Sequence, residues 1–169
     1  DFFAEQGYRV VVPDQRGYNL SDKPKRIRDY GIGELGRDIV ELIDYFGKDN
    51  VLLVSHDWGA AVAWWTTIQH SDRIKKLAIL NVPHPAVMRE NLFNIWSQVK
   101  RSWYIFFFQL PWMPEWFMSH DDFETAIKSI SGKYELTSTD IKRYKEAWGR
   151  PRAVKSMINW YRADQKTAH

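Results

Sequence analysis

"VLLVSHDWGAA", Val51 to Ala61, decides how this chain is read. Its first four residues are branched and apolar, as a fully buried strand requires, and Asp49-Asn50 before them is a turn signal. After Gly59 the stretch "AAVAWWTTIQH" is rich in alanine and long enough to be a helix rather than a strand. Asp57 therefore falls at a tight turn between a buried strand and a helix. Such a turn lifts one side chain above the carboxyl ends of the strands, where open parallel sheets hold their ligands.

An aspartate at that place has two readings. It can cap the helix, since Asp is a favoured N-cap residue. The alternative rests on its neighbours: Ser55 two positions before, and Gly59 and Ala60 after, leave the room that a strained strand-to-helix elbow needs. A nucleophile elbow has the outline small-x-nucleophile-x-small, with serine in the middle slot. Here Asp57 holds that slot, and Ser55 fills a position that need only be small. A free aspartate has a pKa of ~3.9, so at neutral pH it is already ionised and attacks without a base.

Outward from the elbow, strand and helix patterns alternate. "YRVVVP" reads as a buried strand, "GELGRDIVELIDYFG" as a helix with Leu35, Ile39, Leu42, Ile43 and Phe46 on one face, and "KKLAILNVP" as a further strand. Short strands separated by helices imply a parallel sheet with helices on its faces. Beyond Pro85 the strands stop. "AVMRENLFNIWSQVKRSWYIFFFQL", "DDFETAIKSI", "STDIKRYKEAWG" and "PRAVKSMINWYRA" read as helices, with "LPWMPEW" as a turn. The expected fold is α/β: a partial parallel-sheet core over residues 1–83 and an inserted helical domain over 84–169.

Composition excludes several classes. The 169 residues include no cysteine, so disulfides, thiolate zinc sites and thiol catalysis are out, and a reducing cytoplasm is consistent. Hydrophobic residues are 44%, enough for a sizeable core, and no apolar run approaches membrane-spanning length. The net charge of +3 is mildly basic, but Glu146 and Asp164 interrupt the cations between Lys142 and Lys166, so a solvated helical face is expected rather than a nucleic-acid surface. No two of the five histidines show metal-ligand spacing with a carboxylate on one helix face, so no metal is expected. His56 precedes Asp57 in the turn and is a poor candidate base; His84, between two prolines, reads as a pin at the junction before the helices.

Together these stretches resemble the α/β-hydrolase fold, and within it the epoxide hydrolases, over nearly the whole chain. "GYRVVVPDQRGYNLSDKP" carries the Asp-x-Arg-Gly motif at Asp14, Arg16 and Gly17, "SHDWGAA" is similar to the aspartate elbow, and "LNVPHP" to the strand end where a helical cap is inserted. "SWYIFFFQLP" and "NWYRA" resemble the two cap segments that each supply a tyrosine, here Tyr104 and Tyr161. The resemblance implies Asp57 as nucleophile, Tyr104 and Tyr161 as donors to the epoxide oxygen, and the N–H of Trp58 as an oxyanion donor. It implies no cofactor. The partners it implies are a small apolar epoxide and water, with a homodimer left open.

The family's His-Gly-x-Pro loop is expected before residue 1. Its relay acid and catalytic histidine are expected after residue 169, because Asn81, near the alternative acid position, cannot serve as an anion. The chain by itself is therefore expected not to turn over. Two other readings stay open: a haloalkane or haloacid dehalogenase using the same aspartate, and a ligand-binding protein without catalysis. Trp58 does not discriminate between epoxide and halide chemistry, whereas a tyrosine pair does.

Overall fold

The computed structural model describes residues 2–87, 103–132 and 136–164. A short helix α1 (Phe2–Glu5) closes at Gly7, whose φ of 83° suits a residue without a Cβ. The stretch Tyr8–Pro13, expected as a buried strand, is not one here. It has no ladder partner among the described residues, and Val12 is 88% exposed. An apolar run becomes a strand only when another chain segment meets its N–H and C=O groups.

A loop then leads through a 3-10 turn (Ile27–Tyr30) into α2 (Ile32–Tyr45), the helix expected from its apolar spacing, which buries Leu35 and Ile43. β1 (Val51–His56) runs straight into α3 (Asp57–Gln69), and a second 3-10 turn (Ser71–Arg73) leads to β2 (Ile74–Leu80). The two strands pair in parallel, with Val54 opposite Ala78 and His56 opposite Leu80. Their alternate residues are half-buried and exposed, Leu52 and Val54 facing out. The expectation of a fully buried strand is thus corrected: in the described residues one face of the ladder is covered.

The remaining helices are α4 (Trp103–Gln109), α5 (Met113–Ser119), α6 (Glu124–Ser131), α7 (Ser138–Trp148) and α8 (Ala153–Asp164). Of the long helix expected from Ala86 onward, residues 86 and 87 are helical and α4 covers the stretch from Trp103; residues 88–102 lie outside the described residues. "LPWMPEW" is a turn only up to Trp112, because Pro114 sits within the first turn of α5, where its missing N–H costs nothing. "DDFETAIKSI" is not a single helix either. Asp121, Asp122 and Phe123 have positive φ, and α6 starts after them with the Asp121 carboxylate accepting from the N–H and hydroxyl of Thr125. α7 opens with a capping box between Thr137 and Asp140. No helix among the described residues is long and apolar enough to cross a membrane.

α8 joins the two halves of the chain. Trp160 is 1% exposed and packs with Tyr30, Leu35, Val62 and Ala163 in one buried cluster, against which Tyr18, Trp58 and Tyr161 also rest. The next face of the same helix, Val154, Met157 and Ile158, packs with Phe108, Met118, Phe123 and Trp148. The core therefore lies between α8 and the 3-10 turn, α2 and α3, directly behind the elbow.

α2 and α3 approach closely because Gly36 has no side chain. A Cβ there would fall inside the Trp65 ring, whereas one on Gly33 would stand 3.5 Å from it, ordinary contact. Gly→Ala gains up to about 1 kcal/mol in helix propensity, while overpacking costs about 1–3 kcal/mol. Gly36→Ala is accordingly expected to lower stability in urea unfolding, and Gly33→Ala to leave it unchanged or raise it. Equal behaviour of the two variants would contradict this packing.

Candidate active site

Asp57 is the first residue of α3, and its φ is 52°. The N-cap is His56, which makes no side-chain capping bond. The capping reading of Asp57 therefore loses its geometric basis. A left-handed backbone costs an L-residue about 1–2 kcal/mol, and such strain is tolerated where the surroundings hold it in place. Here they do. His56 is locked into the parallel ladder, and the helix begins at the next residue.

The small residues after Asp57 have identifiable neighbours. A Cβ on Gly59 would stand 3.2 Å from Gln15 Nε2, and Ala60 is fully buried. The loop carrying Gln15 thus lies against the elbow, and it is built rigidly. Arg16 grips Asp38 on α2 through Nε to Oδ2 (2.8 Å) and Nη2 to Oδ1 (2.5 Å), and its Nη1 donates to the Asp29 carbonyl at 2.9 Å. Its pKa is raised, chiefly by the Asp38 hydrogen bonds. Gly17, at φ 92°, brings the backbone so close to Tyr30 and Ser156 that a Cβ would be 2.9 Å from the Tyr30 ring. Trp160 Nε1 then donates to the Arg16 carbonyl at 2.9 Å, tying α8 to this loop. A cavity of about 390 Å³ lined by Asp14, Arg16, Leu35 and Asp38 lies on the α2 side of the loop, and Asp57 is not among the residues that line it.

The structure brings the four residues singled out from sequence into one neighbourhood. The Trp58 ring meets Tyr161 edge-on at 5.0 Å between centroids, and Tyr161 meets Tyr104 at 6.0 Å. Phe108 completes the group, 4.6 Å from Tyr161 and 6.2 Å from Tyr104. The Tyr161 pKa is pushed up to about 12, first by burial, with the Trp58 indole hydrogen bond working the other way and Tyr104 and Asp57 adding to the rise. The Trp58 N–H, in the first turn of α3, has no intrahelical acceptor.

Besides Phe108, a second residue of this neighbourhood was not singled out in the sequence. Tyr18 follows Gly17 and packs edge-on against Trp160 at 5.4 Å. Its pKa is raised by burial, then by Tyr161 and Asp57. Its place directly after the Asp-x-Arg-Gly residues was the available signal. Of the histidines, His84 accepts the Ala86 N–H at Nδ1 (3.1 Å) and meets Trp64 edge-on at 4.7 Å, at the junction after β2. Among the described residues no group of three histidine or carboxylate side chains could share a metal ion.

A family model of the alpha/beta hydrolase fold matches residues 1–127. The chain belongs to that family. Among relatives of this α/β hydrolase, the AB hydrolase superfamily protein YfhM of Bacillus subtilis is 46% identical over 166 residues, covering 96% of this chain and 58% of that protein. Epoxide hydrolase 1 of Caenorhabditis elegans is 39% identical over 168 residues, covering 95% and 41%. Among solved structures, an epoxide hydrolase of Bacillus megaterium in complex with an inhibitor is similar with a TM-score of 0.77 at 32% identity, over 88% of this chain and 53% of that one. The epoxide hydrolase of Vigna radiata is similar with a TM-score of 0.79 at 29% identity, over 98% and 60%. The chain spans about half the length of the curated relatives it matches.

The raised Tyr161 pKa has a direction that can be measured. Burial penalises the phenolate, so the folded α/β hydrolase holds this proton more tightly than the unfolded chain does. Stability from this group is complete below the ordinary tyrosine pKa of ~10 and is lost as pH rises from there through about 12. In a phenolate absorbance titration, Tyr161→Phe is expected to remove one late-titrating group and none of the early ones.

Proposed function

We propose that the protein containing this chain opens epoxides to vicinal diols through a covalent ester on Asp57. The observation that carries this reading is the left-handed backbone of Asp57 at the strand-to-helix junction, with the Tyr161–Tyr104 pair beside it. A carboxylate oxygen of Asp57 attacks a ring carbon of the epoxide, and the C–O bond of that carbon breaks. The departing oxygen takes the proton of a tyrosine hydroxyl. An alkoxide is a stronger base than a phenolate, so even a hydroxyl with a pKa near 12 gives up its proton to it.

Water then adds to the ester carbonyl, and the tetrahedral oxyanion is met by backbone donors, the Trp58 N–H among them. Collapse releases the diol, restores the Asp57 carboxylate with one oxygen from water, and returns a proton to the tyrosinate. We place the histidine that activates this water, and its acid partner, C-terminal to residue 169, as the resemblance to epoxide hydrolases implies. The same reading makes residues 1–83 the core and 84–169 the cap. The substrate is a small apolar epoxide, suited to the aromatic surround of Trp58, Tyr104, Phe108 and Tyr161. The lack of cysteine fits a reducing cytoplasm.

Halide release from the same aspartate is the less supported chemistry. It needs donors aimed at a leaving halide, whereas the Tyr161–Tyr104 pair beside Trp58 suits an epoxide oxygen.

Two experiments on the protein expressed from its complete reading frame test this. Repeated turnover in heavy-oxygen water should place label in the Asp57 carboxylate, read by mass analysis of its peptide, and Asp57→Asn should form no ester. Label that enters the diol directly and never Asp57 would overturn the ester mechanism. Losing one transition-state donor costs about 10²–10³ in rate, so the Tyr104→Phe, Tyr161→Phe double variant is expected to lose epoxide opening while remaining folded. Near-wild-type opening by that variant would sink the assignment of the tyrosine pair.

A further inference from the structure

Resting on the reading of Tyr104 and Tyr161 as the donor pair, we propose that Arg162 is the positioning residue that sets the spacing between them. Tyr161 is on α8 and Tyr104 on α4, and their separation depends on how those two helices meet. Arg162 follows Tyr161 directly, and its guanidinium closes over the C-terminal end of α4. Nε donates to the Phe108 carbonyl at 2.9 Å and Nη2 to the Leu110 carbonyl at 2.6 Å. The outer edge forks onto Glu115 of α5, Nη1 to Oε1 at 2.6 Å and Nη2 to Oε2 at 3.1 Å. Gln109 Nε2 adds a bond to the Tyr161 carbonyl at 3.0 Å.

Each bond has a geometric consequence. The terminal carbonyls of a helix lack intrahelical donors and carry partial negative charge, so a cation seated on them fixes where that helix ends. Tyr104 lies one helical turn from Phe108 on the same face of α4, so pinning the Phe108 carbonyl sets the height of Tyr104 along the helix. Successive residues of a helix are about 100° apart. Holding Arg162 on α4 therefore fixes the rotation of α8 at which Tyr161 faces Tyr104 and Trp58.

The planar fork is what makes the device rigid. A lysine would carry the charge without the paired bonds. The Arg162 side chain is 11% exposed and that of Glu115 23%, so water screens the pair weakly. Burial works to raise the Glu115 pKa, but the Arg162 hydrogen bonds, a backbone hydrogen bond and the charges of Arg162 and Lys155 together hold the carboxyl below its ordinary value, so the pair is charged at neutral pH.

A role confined to stability would lower the melting temperature and leave the rates of the folded enzyme alone. A positioning role strikes only the step in which the tyrosines act. In the protein expressed from its complete reading frame, rapid-quench mass detection separates formation of the Asp57 ester from its hydrolysis. Arg162→Lys is expected to slow ester formation about tenfold to a hundredfold, the scale of an ångström-sized misplacement. Ester hydrolysis and substrate KM should change less than about threefold. In the Tyr104→Phe background, which keeps one donor and a measurable step, the same change should slow ester formation further by much less than in the unsubstituted protein, because groups acting through one another are not additive.

Glu115→Gln keeps the shape of its side chain and loosens the fork from the other side. It should slow the same step more mildly, and it serves if Arg162→Lys folds poorly. Unchanged ester formation in either folded variant, equal slowing of both steps, or a full effect in the Tyr104→Phe background would overturn the proposal for Arg162. Absence of an Asp57 ester in the unsubstituted protein would instead overturn the reading on which it rests.

Discussion

The backbone of Asp57 is the constraint around which the rest is arranged. An L-residue in the left-handed region is held there against a cost of about 1–2 kcal/mol, so neighbouring structure must fix both ends of the turn. β1 fixes one end through its ladder with β2, and α3 fixes the other by starting without an intervening residue. The consequence is a carboxylate raised at the carboxyl end of the ladder, exposed to whatever lies above it.

What lies above it is set by α8, and α8 is held from two sides. Trp160 is sealed in the core and bonds the Arg16 carbonyl, so the loop braced by Asp38 also locates the helix over the elbow. Arg162 holds the same helix to α4 and α5. Tyr161 is the residue between these two anchors, which explains how a half-buried phenol beside Trp58 keeps a defined direction. The electrostatics follow from the packing: Tyr18 and Tyr161 are themselves poorly solvated and lie within reach of the Asp57 charge, and both hold their protons more tightly than free tyrosine.

The elbow was legible because its signals are local. A turn, an apolar run, a carboxylate and small residues lie within eleven positions, and each carries its own steric reason. α2 was legible from periodicity for the same cause. The stretch Tyr8–Pro13 shows the limit of such signals: its apolar residues announce a strand, but a strand exists only with a partner, and none stands beside it in the described residues. Trp112 and Asp121 to Phe123 broke expected turns and helices because left-handed residues end a helix wherever packing demands it, without a glycine to mark the place.

By itself the sequence determined the parallel βαβ unit, the aspartate at its elbow and, through resemblance, the two tyrosines to set against it. Tertiary structure alone decided that Trp160 would be bonded to a carbonyl 144 residues away, that Tyr18 would join the group around Asp57, and that Arg162 would reach back 54 and 52 residues to the end of the Tyr104 helix. Propensity and periodicity act over a few residues, because they arise from backbone sterics and from the repeat of one helix or strand. Hydrogen bonds between distant segments depend on how whole elements pack, and a tryptophan or an arginine carries no local mark of the carbonyl it will meet.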